Sequence, residues 1–195
     1  MTDPAATGVA ATEVVELRPE HGEALLRFFR ALPESDRTFI KEDVTDPETV
    51  RSWSGDDEGG GRWIALQRDG DGTEVTGYVA VRRLPGWSDH VGEVRLVVSP
   101  EHRGQGIGRD LARHALSQAV PWGLSKLVVE VVAEQQSALT LFTDLGFTGE
   151  ALLRDQIRDR SGRLRDLVVL AHHVGETWSG MATVGLDETL TEEPG

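Results

Sequence analysis

Gly104, Gly106 and Gly108 fall within five positions, directly after Arg103 and directly before a helical pattern of apolar residues. Glycine is costly inside a helix and permissive in a loop, so this clustering points to a group bound close to the backbone. The first N–H groups of a helix are unpaired, and its dipole puts partial positive charge there. A phosphate can dock on the amides of Gln105, Gly106, Ile107 and Gly108 without any lysine, and Arg103 can add a charge. A P-loop does not fit, because it needs Lys and then Ser or Thr after its glycines and no lysine lies near. A dinucleotide fingerprint fits poorly, because the third glycine comes one residue early and the motif follows several strands instead of the first. The plainer alternative is a turn that only links strand to helix. A second chemistry-bearing position is Glu130, a carboxylate inside the apolar run LVVEVVA. Partial burial would raise its pKa and suit a proton acceptor. Pairing with an arginine on a neighbouring strand would make it structural instead.

The elements that must position these residues follow from hydrophobic spacing. TEVVELR (12–18) reads as a strand, and 19–34 as a helix with Ala24, Leu25, Phe28, Phe29 and Leu32 at helical spacing. Asp46 and Pro47 start a short helix over 46–53. Residues 62–68 and 73–84 flank DGDG and read as a strand pair, and 92–99 reads as a further strand. A helix then runs from the glycine turn to about Val120. The segment 126–133 is a buried strand, 137–147 a short helix capped by Gly146, and 151–174 a hairpin turning at Ser161-Gly162. Helices interleaved with strands argue for an α/β layer arrangement.

The chain of 195 residues suffices for one domain, expected over 12–174, between a flexible N-terminus (1–11) and an acidic C-terminal tail (175–195). Cysteine is absent, which excludes disulfides, thiolate metal sites and a cysteine nucleophile. No apolar run approaches a membrane span, and no signal peptide is visible, so a cytoplasmic location with no membrane partner is expected. A net charge of −13 opposes nucleic-acid binding and suits a cationic substrate, or serves solubility alone.

The run Arg103-Gly104-Gln105-Gly106-Ile107-Gly108 resembles the R-x-x-G-x-G acetyl-CoA signature of the GCN5-related N-acetyltransferases. VRLVVSPEHRGQGIGRDLARHAL resembles that family's fourth strand and third helix. LVVEVVAEQQSALTLFTDLGF resembles its fifth strand and fourth helix, and GYVAV its third strand. The resemblance implies a central mixed, largely antiparallel sheet of six to seven strands. Helices would lie on both faces, with a splay between the fourth and fifth strands. It implies acetyl-CoA as acyl donor and no metal. The pyrophosphate would lie on the glycine turn and the pantetheine along the backbone of Leu96, Val97 and Val98, with an N–H near Val97 aimed at the thioester oxygen. Gln135 takes the place of a cofactor-contacting asparagine.

A lysine-type amine, with a pKa of about 10.4, must lose a proton before it attacks. Glu93 matches a strand glutamate of the protein-lysine acetyltransferases, including Pat-like enzymes. It reads as the general base, or else as an exposed strand-end carboxylate. Glu130 and His90 are further candidates. The tyrosine that often serves as acid is replaced by Phe142, which reads as core, while Tyr78 lies on another strand. The expected acceptor is a protein lysine ε-amine, with a small amine such as an aminoglycoside, polyamine or amino acid as the alternative. A fold that binds acetyl-CoA without catalysis is a third reading. Trp87 and the arginine-rich hairpin 154–166 are further possible contacts.

Overall fold

The computed structural model describes residues 12–37, 40–53, 60–69 and 72–175. The N-terminal segment 1–11, the centre of the DGDG turn and the tail beyond 175 lie outside these residues. Seven strands form one sheet: β1 (Thr12–Glu16), β2 (Gly60–Asp69), β3 (Gly72–Arg83), β4 (Val91–Val98), β5 (Lys126–Val132), β6 (Thr148–Arg158) and β7 (Leu164–His173). Their order is β1-β2-β3-β4-β5-β7-β6. Every neighbouring pair is antiparallel except β4 and β5. The helices are α1 (Gly22–Ala31), α2 (Glu34–Arg37), α3 (Pro47–Ser52), α4 (Ile107–Ala119) and α5 (Gln136–Asp144).

The helix expected over 19–34 is broken at both ends. Pro19–His21 form a 3-10 turn, and Leu32 is extended at ψ 142°. Pro33 is the cause at the second break, because its ring disfavours helical geometry in the residue before it. α3 starts as its sequence suggests: the Asp46 carboxylate accepts from the amides of Glu48 and Thr49 at 3.2 and 3.1 Å.

The two faces of the sheet carry separate cores. α1 buries Leu25, Phe28 and Phe29 against Ile64, Tyr78 and Ala80. α4 buries Ile107, Leu111, Ala112 and Ala115 against Ala65, Val79, Val81 and Val94. Each fully buried Leu, Ile or Phe contributes about 1.5–3 kcal/mol. Gly77 lets α4 come this close, since a Cβ there would lie 2.8 Å from Leu111 Cδ1 and 3.3 Å from Ile107 Cγ2. No helix among the described residues is long and apolar enough to cross a membrane.

The parallel pairing of β4 with β5 is short. It runs from Val91↔Lys126 to Val94↔Val129 and then stops. β4 continues to Val98 paired only with β3, and β5 continues to Val132 paired only with β7. The splay between the fourth and fifth strands is therefore present, and it opens toward the N-terminus of α4.

Candidate active site

The glycine turn sits at the mouth of this gap. Gly104 and Gly106 have φ of 77° and 91°, a left-handed conformation that disfavours any side chain. A Cβ on either would meet nothing within 4 Å, so the space over the turn is open. Gly108 differs: its Cβ would lie 3.3 Å from Leu141 Cδ2, so this glycine seats α4 against α5. The helical ladder begins when Arg109 and Asp110 donate to the Gly106 carbonyl, at 2.9 and 3.1 Å. The amides of Ile107 and Gly108 precede that ladder and carry the positive end of the helix dipole. An open, left-handed, glycine-lined helix start of this kind fits a pyrophosphate.

Arg103 is held beside the turn. Its Nε donates to the Val98 carbonyl at 3.3 Å, and its guanidinium pairs with Asp36 of α2. The Gln105 side chain folds back to the Glu101 carbonyl at 3.1 Å. Gln135 lies at the start of α5, where its own carbonyl accepts from Ala138 and Leu139.

The hydrogen-bond phase of β4 decides which amides face the gap. Leu84 N donates to Val91 O, and Ser99 N donates to Thr76 O, both at 2.9 Å. In an antiparallel pair such bonds alternate, so Val91, Glu93, Arg95 and Val97 bond to β3. Gly92, Val94, Leu96 and Val98 turn toward β5. In agreement, the carbonyl of His90 accepts from Ser125 and Lys126. The amide of Val97 is therefore directed at Tyr78 on β3. The amides that line the open gap are those of Leu96 and Val98.

At the closed end of the gap lies a cluster of six charged side chains. Glu93 is 6% exposed and so is not the exposed strand-end group that its position allowed. Its carboxylate accepts from Lys41 Nζ at 2.8 Å, Arg95 at 3.2 Å and Arg82 at 3.3 Å. Lys41 also pairs with Glu130 at 3.0 Å, and Arg95 with Glu42. Burial alone would raise the Glu93 pKa, but the hydrogen bonds from Lys41 and Arg95 outweigh it and hold the carboxyl below its ordinary value. Glu130 is paired, though with a lysine from a loop and not with an arginine on a neighbouring strand.

Lys41, Glu42, Arg82 and Arg95 are the members of this cluster that the sequence does not single out. Arg82 and Arg95 carry a signal, since Arg82 is the cross-strand partner of Glu93 and Arg95 shares its face two positions on. Lys41 carries none, because it arrives from the irregular segment between α2 and α3, 52 positions before Glu93. His90 is exposed, and Trp87 is 96% exposed in the turn before β4. Phe142 is buried edge-on against Phe147, as a core residue. Tyr78 stacks on Trp53 within the α1 core, where burial pushes its hydroxyl well above its ordinary pKa. The hairpin arginines Arg160 and Arg165 are ion-paired with Glu34, Glu134 and Asp159.

A sequence model of the acetyltransferase (GNAT) family matches residues 25–147. The chain belongs to that family. It is similar to N-acetyltransferase 8F1 of Rattus norvegicus, 35% identical over 136 residues, which cover 66% of this chain and 58% of the relative. It is also similar to streptothricin acetyltransferase of Streptomyces lavendulae, 33% identical over 93 residues, covering 48% and 47%. The chain spans about half the length of the curated relatives it matches. Among solved structures, yncA from Salmonella typhimurium with its cofactor acetyl-CoA superposes with a TM-score of 0.69 at 19% identity, over 84% of this chain and 94% of that one. The overall fold is thus common to this chain and that neighbour.

Proposed function

We propose that the protein is an acetyl-CoA-dependent N-acetyltransferase acting on a primary amine, with a protein lysine ε-amine as the acceptor. The supporting observation is the position of the Lys41 ammonium, 2.8 Å from Glu93 and 3.0 Å from Glu130 at the closed end of the gap. The site already accommodates a lysine side chain, with two carboxylates around its nitrogen.

When bound, acetyl-CoA supplies the thioester. The residues that would hold it are the amides of Ile107 and Gly108 at the diphosphate, Arg103 beside them, and the backbone of Leu96 and Val98 along the arm. An amide of β4 that faces the gap stabilises negative charge on the thioester oxygen as it develops. Glu93 is ionised at neutral pH, as any carboxylate is, and so can accept the ammonium proton of an incoming amine; its lowered pKa makes it a weaker base than a free glutamate. Glu130, across the gap, attracts the same cation. CoA can leave as a thiolate, since a thiol pKa of about 8.5 lies near neutral pH.

A second reading is acetylation of a small-molecule amine, favoured by the similarity to streptothricin acetyltransferase. The deciding experiment is a screen for free CoA release with lysine-containing proteins and with small amines, alongside calorimetry of acetyl-CoA binding. Turnover with lysine substrates supports the first reading, and turnover confined to small amines supports the second. Absence of acetyl-CoA binding would remove both.

A further inference from the structure

We propose that Lys41 is itself an acetyl acceptor, a self-acetylation site set inside the active centre; this rests on the reading above. The Lys41 nitrogen lies within 3.0 Å of both Glu93 and Glu130, so it occupies the place that any acceptor ammonium would take. Glu93 lies three residues before Leu96 on β4, and Glu130 is one residue beyond the last β4–β5 pair. The nitrogen is therefore about one to three residues, or 3–10 Å, along β4 from the gap-facing amide of Leu96. That spacing is within reach of a side chain with four rotatable bonds. Lys41 is also half-exposed and, among the described residues, its side chain is held by ion pairs to Glu93 and Glu130, so it can leave one carboxylate and swing toward the gap. The chain has one other lysine, Lys126 at the start of β5, which is paired with Glu150 at 2.7 Å outside the gap.

The step balances. The Lys41 ammonium gives one proton to Glu93, and its nitrogen attacks the thioester carbonyl carbon. A C–N bond forms and the C–S bond breaks. The nitrogen's second proton goes to the departing CoA thiolate, and Glu93 releases its proton to water. The products are acetyl-Lys41 and CoA.

The charges facing Lys41 set how readily this happens. Glu93 from β4 and Glu130 from β5 contact it directly, while Arg82 from β3, Arg95 from β4 and Glu42 beside it complete the cluster. Burial lowers the Lys41 pKa, but its hydrogen bonds to the two glutamates outweigh this and raise it, so the transfer is slow at neutral pH and quickens as pH rises. Once acetylated, Lys41 no longer neutralises the carboxylates. Glu93 then loses one of its three cations and becomes a stronger base.

The test is incubation of the purified chain with acetyl-CoA and no added amine, followed by intact mass and peptide mapping. The expected result is one acetyl group on Lys41, gained at a rate independent of protein concentration and absent from Lys41→Arg. Lys126→Arg should retain it. Acetylation only elsewhere, a rate that scales with protein concentration, or equally fast labelling of the unfolded chain would overturn the proposal. Turnover of free amines with Lys41 unlabelled would overturn self-acetylation alone. Failure to bind acetyl-CoA in calorimetry would overturn the functional reading along with it.

Discussion

Glu93 is surrounded by Lys41, Arg82 and Arg95, and its role follows from the balance between burial and those cations. With its folded pKa below the unfolded value of about 4.3, it stabilises the fold above that pH, and the contribution is lost as pH falls through the lower folded value. Glu93→Gln should therefore flatten the loss of stability below about pH 4.3, as measured by urea unfolding across that range. At neutral pH the same change should lower kcat by about 10²–10⁴-fold if Glu93 is the proton acceptor. Affinity for acetyl-CoA should be unchanged, because no donor-binding group is touched. Unaltered turnover would make Glu93 a structural member of the cluster and shift attention to Glu130.

Among the elements, the turn and helix of 103–119 illustrate what a sequence can reveal. Arg103 to Gly108 carry a local signal, because positive φ and a helix start are properties of adjacent residues. The β4 and β5 segments are equally legible from their apolar runs. The gap between them is not a local property, since it arises from where one pairing register stops. The gap-facing amides need the hydrogen-bond phase of β3 against β4, which no residue type encodes, so the sequence narrows the donor only to the neighbourhood of Val97, while the phase turns the amides of Leu96 and Val98 to the gap. Lys41 is hidden for a related reason, as it has no periodic neighbours to mark its direction. Two glycine substitutions separate the tasks within this region. Gly106→Ala should cost about 1–2 kcal/mol through left-handed strain and weaken acetyl-CoA binding. Gly77→Val should cost about 1–3 kcal/mol by pressing on Leu111 and displacing α4. Thermal melting and calorimetry should show a larger affinity loss per degree of melting-point loss for Gly106→Ala. The reverse order would mean that the turn serves the fold more than the ligand.

Across the whole molecule, the net charge of −13 suits the cationic acceptor proposed above. Electrostatic attraction of this kind acts on encounter and is screened by salt. For a lysine-rich acceptor, kcat/KM should fall as added salt shortens the Debye length from about 10 Å to about 3 Å. For an uncharged amine it should hardly change. Equal salt dependence for both acceptors would leave the acidic surface with solubility as its only role.

The short parallel pairing between β4 and β5 has a consequence for how long the protein survives. One leaf of the sheet is drawn from residues 12–98 and the other from 126–173; their strands pair only from Val91↔Lys126 to Val94↔Val129, and Lys41 bridges Glu93 and Glu130 at the end of that pairing. This seam has fewer backbone hydrogen bonds to lose on opening than the continuous ladders on either side. A donor lying along Leu96 and Val98 would add backbone partners where the sheet has none, and would stabilise the folded chain in proportion to the logarithm of its concentration. Proteases act on the opened state, so an abundant acyl donor would lengthen the protein's lifetime and a scarce one would hasten its clearance. Metabolic supply would then govern the amount of this protein as well as its rate of turnover.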